Sequence, residues 1–207
     1  MKPKVSVVIP VWNQEELVIR ALNSIPESKS IEIIINNDCS TDNTYNVVNN
    51  WIATNKNKYH NVILLSNDKN MGVGYTINRC YDIATGEYIV ALGSDDYFLT
   101  NVFMLAMEQL TGDDMVYFNL ETNDGTIFVL NPESKTGYCG STKFIKRSFM
   151  GDTRCPDKRA GEDWDFYQDL LKKNPTEKFT NLIVKHYNYP REGSLFDLMV
   201  KENKKRL

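Results

Sequence analysis

The sequence predicts an α/β fold built on a mostly parallel central sheet flanked by helices. Three observations carry that prediction. Across the first hundred positions, short β-branched runs alternate with helical patterns of ten or more residues, the succession that builds parallel sheets. The strand runs are apolar on successive residues, as in strands buried on both faces. The chain has 207 residues, 42% of them hydrophobic, enough for one domain to form its core without a disulfide or structural metal.

The first half is regular. Val5 to Ile9 is a buried-strand run stopped by Pro10, and Gln14 to Ile25 carries Leu17, Val18, Ala21, Leu22 and Ile25 at helical spacing. Ile31 to Ile35 is the second strand. Thr41 to Ile52 opens on a Ser/Thr/Asp start signal and lines up Val47, Val48, Trp51 and Ile52 on one face. A strand at Val62 to Leu65, a helix over Val73 to Ala84 and a strand at Tyr88 to Leu92 complete this half.

Beyond residue 100 the pattern loosens. A helix at Val102 to Leu110 precedes a small hairpin, Met115 to Leu120 and Thr126 to Leu130, around the turn signal Asn123-Asp124-Gly125. Gly161 to Lys173 reads as a helix and Leu182 to Val184 as a late strand. Ser194 to Val200 begins a last helix that runs into Lys201, Lys204, Lys205 and Arg206. With no repeat and no linker, 1–207 is expected to be a single domain in two halves, a nucleotide-type half over 1–100 and a second-substrate half over 101–207.

Charge and cysteine usage exclude several classes. The 24 Lys+Arg and 27 Asp+Glu residues give a formal net charge of −3, which argues against a nucleic-acid partner, whose phosphates need a concentrated basic face. Cys39, Cys80, Cys139 and Cys155 are scattered, with no CxxC pair and no nearby histidine to complete a zinc site. They read as free thiols in a reducing compartment. No leader pattern opens the chain and no apolar run approaches the ~18 residues of a membrane span, so the expected location is the cytoplasm. The basic C-terminal helix could touch an anionic membrane surface; the simpler reading is a solvated helix end with favourable charges.

In an open α/β sheet, ligands bind at the carboxyl ends of the strands, and three acidic segments fall there. The second strand runs into Asp38-Cys39-Ser40-Thr41-Asp42, the fourth into Gly93-Ser94-Asp95-Asp96, and the later helix opens with Gly161-Glu162-Asp163-Trp164-Asp165. Each has a bland alternative. Asp42 or Ser40 could cap the second helix, Asp95-Asp96 could be turn chemistry, Glu162 and Asp163 suit any helix start, and Trp12 could be core. Convergence on one edge favours function, because independent caps have no reason to gather there. Adjacent carboxylates at a strand end suit Mg²⁺ or Mn²⁺, and such a cation would neutralise a diphosphate leaving group. No GxxxxGK[ST] loop occurs, and Gly72-Val73-Gly74 lacks the third glycine of a dinucleotide fingerprint.

In order and spacing these segments resemble the inverting glycosyltransferases of family 2, of GT-A fold. The resemblance rests on Val5 to Glu15 with Pro10, Trp12 and Glu15, on Ile33 to Thr44 with Asp38, on Asn70-Met71-Gly72, on Ala84 to Ile89, on Ser94-Asp95-Asp96 and on Gly161 to Phe166. It implies a GT-A nucleotide-diphospho-sugar transferase fold and hexosyl transfer from a nucleotide-sugar donor, UDP-linked, to an acceptor glycan, lipid-linked sugar or other hydroxyl compound. Pro10, Trp12, Glu15, Asp38, Gly72, Asn78 and Asp95 would bind the nucleotide, with Asp38 accepting from the N3–H of a uracil or thymine ring and Trp12 beside the base. Asp95 and Asp96, with His186 as a possible third ligand, would hold Mn²⁺ or Mg²⁺. Asp163 would take the proton from the acceptor hydroxyl, and Arg191 and Ser194 would approach the diphosphate.

The chain departs from the family at three places. Gly93 stands where the metal motif has its first aspartate, Cys39 replaces a glycine, and the helix after Gly72 reads Thr76-Ile77-Asn78 where the family has Ala-Arg-Asn. Arg79 comes one residue late, about 100° around the helix, and is not expected to make the missing contact directly. Gly93 and Ile77 motivate one alternative, a binding-only relative, and a sugar-phosphate nucleotidyltransferase on a related fold is the second. The second would need a Gly-rich basic loop after the first strand, where this chain has Trp12-Asn13-Gln14-Glu15-Glu16.

Overall fold

The computed structural model describes residues 2–134, 142–158 and 161–192. Strand β1 (Val5–Val11) lies between β2 (Ile31–Asn37) and β4 (Tyr88–Ala91), with β3 (Asn61–Ser66) outside β2, and all four run parallel. Helices α1 (Val18–Asn23), α2 (Thr44–Asn55) and α3 (Val73–Ile83) connect them. Because successive strand residues point to opposite faces, β1 feeds two cores. Val5, Val7 and Ile9 pack with Val18, Leu22, Val48 and Trp51 on one side. Val8 joins Ile34, Ile77, Cys80 and Tyr81 on the other.

The sheet then continues through β8 (Lys143–Lys146), β6 (Met115–Thr122), β9 (Glu177–Tyr187) and β5 (Tyr97–Phe98), in the order β3-β2-β1-β4-β8-β6-β9-β5. Here the pairing is mixed: β8 is antiparallel to β4 and β6, β9 is parallel to β6, and β5 is antiparallel to β9. The predicted hairpin forms, but its second strand, β7, is only Ile127–Phe128. Helices α4 (Thr100–Glu108), α5 (Arg147–Met150) and α6 (Glu162–Leu171) complete the described chain. Phe103 of α4 packs on the first core, and Phe166, Tyr167 and Leu170 of α6 pack on the second.

Some elements differ from the sequence expectation. Helix α1 begins at Val18, because the N–H groups of Gln14 and Glu15 donate to Thr44 Oγ1 and Asp42 Oδ2 and tie that stretch to the start of α2. Strands β5 and β8 and helix α5 had no predicted counterpart, and β9 extends the expected Leu182 to Val184 to 11 residues. Ser194, Cys139 and the predicted last helix lie outside the described residues. Among the described residues, no helix is long and apolar enough to cross a membrane. Cys39, Cys80 and Cys155 are free, and burial pushes the thiols of Cys80 and Cys155 up to about 12.

Candidate active site

The parallel ladder runs one residue past each strand. The Asp38 N–H donates to Val11 O (2.8 Å), Asn67 to Asn37 O (2.9 Å) and Leu92 to Val8 O (3.0 Å). The loops after β1, β2, β3 and β4 therefore leave the sheet side by side. Asp38 is only 3% exposed, and its carboxylate accepts three bonds. Asn67 Nδ2 (2.7 Å) and Met71 N (2.8 Å) reach Oδ1, and Gly72 N (2.8 Å) reaches Oδ2. A carboxylate has about four lone-pair sites, so one remains, on Oδ2.

Other predicted nucleotide residues serve different ends. Trp12 stands 50% exposed beyond the end of β1, a stacking surface outside either core. Pro10 lies within β1 opposite Asn36. Glu15 Oε2 accepts from Asn43 N (2.7 Å), joining the β1 turn to α2. Asp42, one residue before the α2 N-cap Asn43, accepts from Thr44 N (3.0 Å), while Ser40 Oγ accepts from Asn13 N. Asn78 is not presented to a nucleotide as expected. Its amide is occupied at both ends by the Cys155 backbone, at 2.8 and 2.9 Å, and ties α3 to the 151–158 segment. Ile77, where the family arginine would stand, is core.

The acidic loop after β4 is surrounded by cations. Lys185 Nζ lies 2.9 Å from Asp96 Oδ2, both side chains 4% exposed, and Asn188 N donates to Asp96 Oδ1 (2.9 Å). Arg191 Nη2 pairs with Asp95 Oδ2 (2.7 Å), and Arg20 Nη2 donates to the Asp95 carbonyl. Strand β5 arranges this by pairing Tyr97 with His186 and Phe98 with Lys185, which lays the end of β9 against the loop. A Cβ at Gly93 would come 2.8 Å from Asp96 Oδ2 and 3.1 Å from Asp95 Oδ1. The two carboxylates fold into the space a residue-93 side chain would need.

The metal expectation narrows accordingly. Among the described residues no three His, Cys, Asp or Glu side chains form a cluster able to hold a cation. His186 does not face Asp95 as a third ligand: its ring stacks on Tyr97 at 4.5 Å, and its nitrogens lie 3.2 Å from Glu121 Oε1 and 2.8 Å from Asn123 Oδ1. Asp96 is committed to Lys185 and Asn188, which removes it as a ligand. Asp95 Oδ1 accepts no hydrogen bond among the described residues, and one carboxylate together with substrate phosphates is a usual Mg²⁺ arrangement. Asp95 thus fits a cation, and the other two residues do not.

The acid pair opening α6 reaches the same edge by packing on α3. A Cβ on Gly74 would lie 3.3 Å from Glu162 Cγ and 3.1 Å from Pro156 O, so a side chain there would crowd the contact. Glu162 is buried there, and burial, then the charge of Asp163, raises its carboxyl above the ordinary 4.5. Asp163 is exposed, with Oδ1 accepting from Trp164 N (2.8 Å). Tyr187 ends β9, with its ring stacked on Tyr189 at 5.7 Å. Burial, and then the charges of Asp96 and Asp95, push its hydroxyl up to about 12. The sequence reading had assigned no role to Arg20, Asn67, Lys185 or Tyr187. Lys185 carried the one signal available, a charge ending the apolar run Leu182-Ile183-Val184.

A parallel block whose carboxyl-edge loops carry a buried carboxylate, an acidic loop and a helix-borne acid fits the GT-A nucleotide-sugar transferase class. Residues 6–166 match the family model "Glycosyl transferase family 2", and the chain belongs to that family. The chain is 28% identical over 200 residues to the Escherichia coli UDP-Glc:alpha-D-GlcNAc-diphosphoundecaprenol beta-1,3-glucosyltransferase WfaP, covering 88% of this chain and 76% of that one. It is 38% identical over 99 residues to the poly(ribitol-phosphate) beta-glucosyltransferase of Bacillus spizizenii, covering 45% of this chain but 15% of that protein. Among solved structures, S. aureus TarS 1-349 in complex with UDP-GlcNAc superposes with a TM-score of 0.78 at 22% identity, over 92% of this chain and 60% of that one. The Pyrobaculum calidifontis mannosyltransferase PcManGT, in complex with GDP-Man and Mn²⁺, gives 0.74 at 17% identity, over 93% and 59%. The chain thus spans about three-fifths of these solved relatives.

Proposed function

We propose that this protein transfers a glycosyl group from a UDP-sugar to an acceptor hydroxyl with inversion, with Asp163 as general base. The observation that carries the reading is that the Asp38 loop and the Asp95-Asp96 loop leave the same carboxyl edge of the parallel strands, where Asp38 keeps one free lone pair. Asp38 accepts from the N3–H of uracil, a donor cytosine lacks, and Trp12 covers the ring. Asp163 takes the acceptor proton as the hydroxyl attacks the anomeric carbon from the face opposite the diphosphate; general-base help of this kind is worth ~10²–10⁴-fold. Arg191, whose buried Nε has no hydrogen-bond partner among the described residues, suits a diphosphate oxygen. Asp95 would hold Mg²⁺ or Mn²⁺, which when bound offsets charge on the departing diphosphate.

The acceptor reading follows from relatives whose names include a diphosphoundecaprenol-linked sugar. It places a lipid-linked acceptor, and peripheral contact with the cytoplasmic membrane face, as the favoured case. The nucleotide reading is tested by thermal unfolding with UDP and CDP, each with and without Mn²⁺. UDP raises the midpoint, CDP does so weakly, and Asp38→Ala removes the UDP effect. Equal stabilisation by CDP would overturn the base assignment.

A further inference from the structure

We infer that Arg79 and Asn67 form a positioning arm that orients the Asp38 carboxylate, and that discrimination between uracil and cytosine depends on this arm. The inference rests on Asp38 being the base-reading group, and it concerns how that group is held. Arg79 Nη1 donates to Asn67 Oδ1 at 2.6 Å and to Ser66 O at 2.9 Å. Asn67, buried at the end of β3, donates through Nδ2 to Asp38 Oδ1 at 2.7 Å and to Thr76 Oγ1 at 3.0 Å. Its backbone N–H is bonded to Asn37 O, which fixes where the side chain starts.

An amide has an acceptor end and a donor end, and its orientation is decided by its partners. Here a guanidinium lies against the oxygen and a carboxylate against the nitrogen. Turning the amide over would set oxygen against Asp38 Oδ1 and an NH₂ against Arg79, so the cation at 2.6 Å, with Asn36 Nδ2 at 3.5 Å on the same oxygen, sets which end faces Asp38. With Asn67 and Met71 N both on Oδ1 and Gly72 N on Oδ2, the one lone pair left on the carboxylate points in a single direction. Uracil offers an N3–H to it; cytosine offers a lone pair there and is repelled. Remove the arm and Oδ1 regains a free site, the carboxylate can turn, and cytosine's amino group becomes an alternative donor. Arg79, one residue late for the family contact, thereby reaches the base site through Asn67.

The test is calorimetric titration of UMP and CMP, without turnover, into the wild-type chain, Arg79→Met, Arg79→Lys, Asn67→Ala and the Arg79→Met/Asn67→Ala double variant. Wild type prefers UMP. Arg79→Met lowers the UMP-over-CMP ratio about tenfold, the effect of losing one charge-assisted hydrogen bond, and Arg79→Lys restores part of it. Asn67→Ala gives a similar loss, and the double variant loses no more than either single one. Additive losses, equal weakening of both nucleotides, or no change in Arg79→Met would overturn the arm, leaving Arg79 as a tether between β3 and α3. If wild type itself does not separate UMP from CMP, the base-reading role of Asp38 falls and takes the arm with it.

Discussion

The block from β1 to β4 and the region from β6 to β9 contribute to one sheet edge by opposite means. In the first, each side chain sits on the loop directly after its strand, and the partners of Asp38 come from the next loop along, at Asn67, Met71 and Gly72. In the second, the chain returns from far away to neutralise a loop it did not build. Lys185 is 89 residues from Asp96, and Arg191 is 96 residues from Asp95. The Asp38 end of the edge is therefore held by its own half, whereas the Asp95-Asp96 end depends on the whole sheet closing. Changes in the later region should affect chemistry and stability while leaving base recognition intact.

The strongest way to break that division is Asp163→Asn. The expected outcome is a ~10²–10⁴-fold fall in turnover with UDP affinity unchanged, measured by transfer rate and by titration of UDP. A matching loss of UDP affinity would show that the two regions do not act separately. Next in size is Lys185→Met, which leaves Asp96 buried without its cation. Breaking a buried pair from one side costs ~3–5 kcal/mol, readable as a lower urea midpoint. Adding Asp96→Asn should recover part of the loss, since the unpaired charge is then gone.

The same contrast explains what the sequence disclosed. The parallel strands were legible because Val5 to Ile9 and Ile31 to Ile35 are apolar runs whose partners are also apolar runs. The site loops were legible because motif and strand end coincide. Strand β8, with the sequence Lys143-Phe144-Ile145-Lys146, is too short to show a period, and β5 has two residues. Strand β9 carries Lys178, Thr180, Asn181 and Lys185 among its apolar residues, and the partners of three of them, Gln109 O for Lys178, Tyr117 O for Thr180 and Asp96 for Lys185, lie on other segments. For Asp96 and His186 the residue types were right for a cation, but their partners, Lys185, Asn188, Glu121 and Asn123, lie on segments no local pattern joins to them.

Gly93→Asp sharpens the point. By motif, restoring the family aspartate would strengthen cation binding. By geometry, the new Cβ meets Asp96 Oδ2 at 2.8 Å and Asp95 Oδ1 at 3.1 Å, adds a third carboxylate beside them, and pushes Asp96 from Lys185. The expected result is a loss of ~1–3 kcal/mol, as for other insertions into filled space, with no gain in the Mn²⁺-induced shift of the unfolding midpoint in the presence of UDP. A larger Mn²⁺ shift at unchanged stability would mean that the loop can open to the family arrangement.

The smallest expected effect lies at the contact between the two regions, where Glu162 of α6 rests on Gly74 of α3. Burial, with the charge of Asp163 added, raises the Glu162 carboxyl above its ordinary 4.5, while Lys158 opposes the shift. A carboxyl raised in the folded state binds its proton more readily folded than unfolded, so its ionisation reduces stability as pH climbs above the ordinary glutamate range. Glu162→Gln keeps the shape and removes the ionisation. The variant should therefore unfold at a higher temperature than wild type at pH 7.5, and the difference should shrink as pH falls below the ordinary glutamate range, where both side chains are neutral. A gain that persists at pH 4 would point to packing against Gly74 as its source. A loss at pH 7.5 would mean that the Glu162 charge supports the seating of α6 on α3, and with it the position of Asp163.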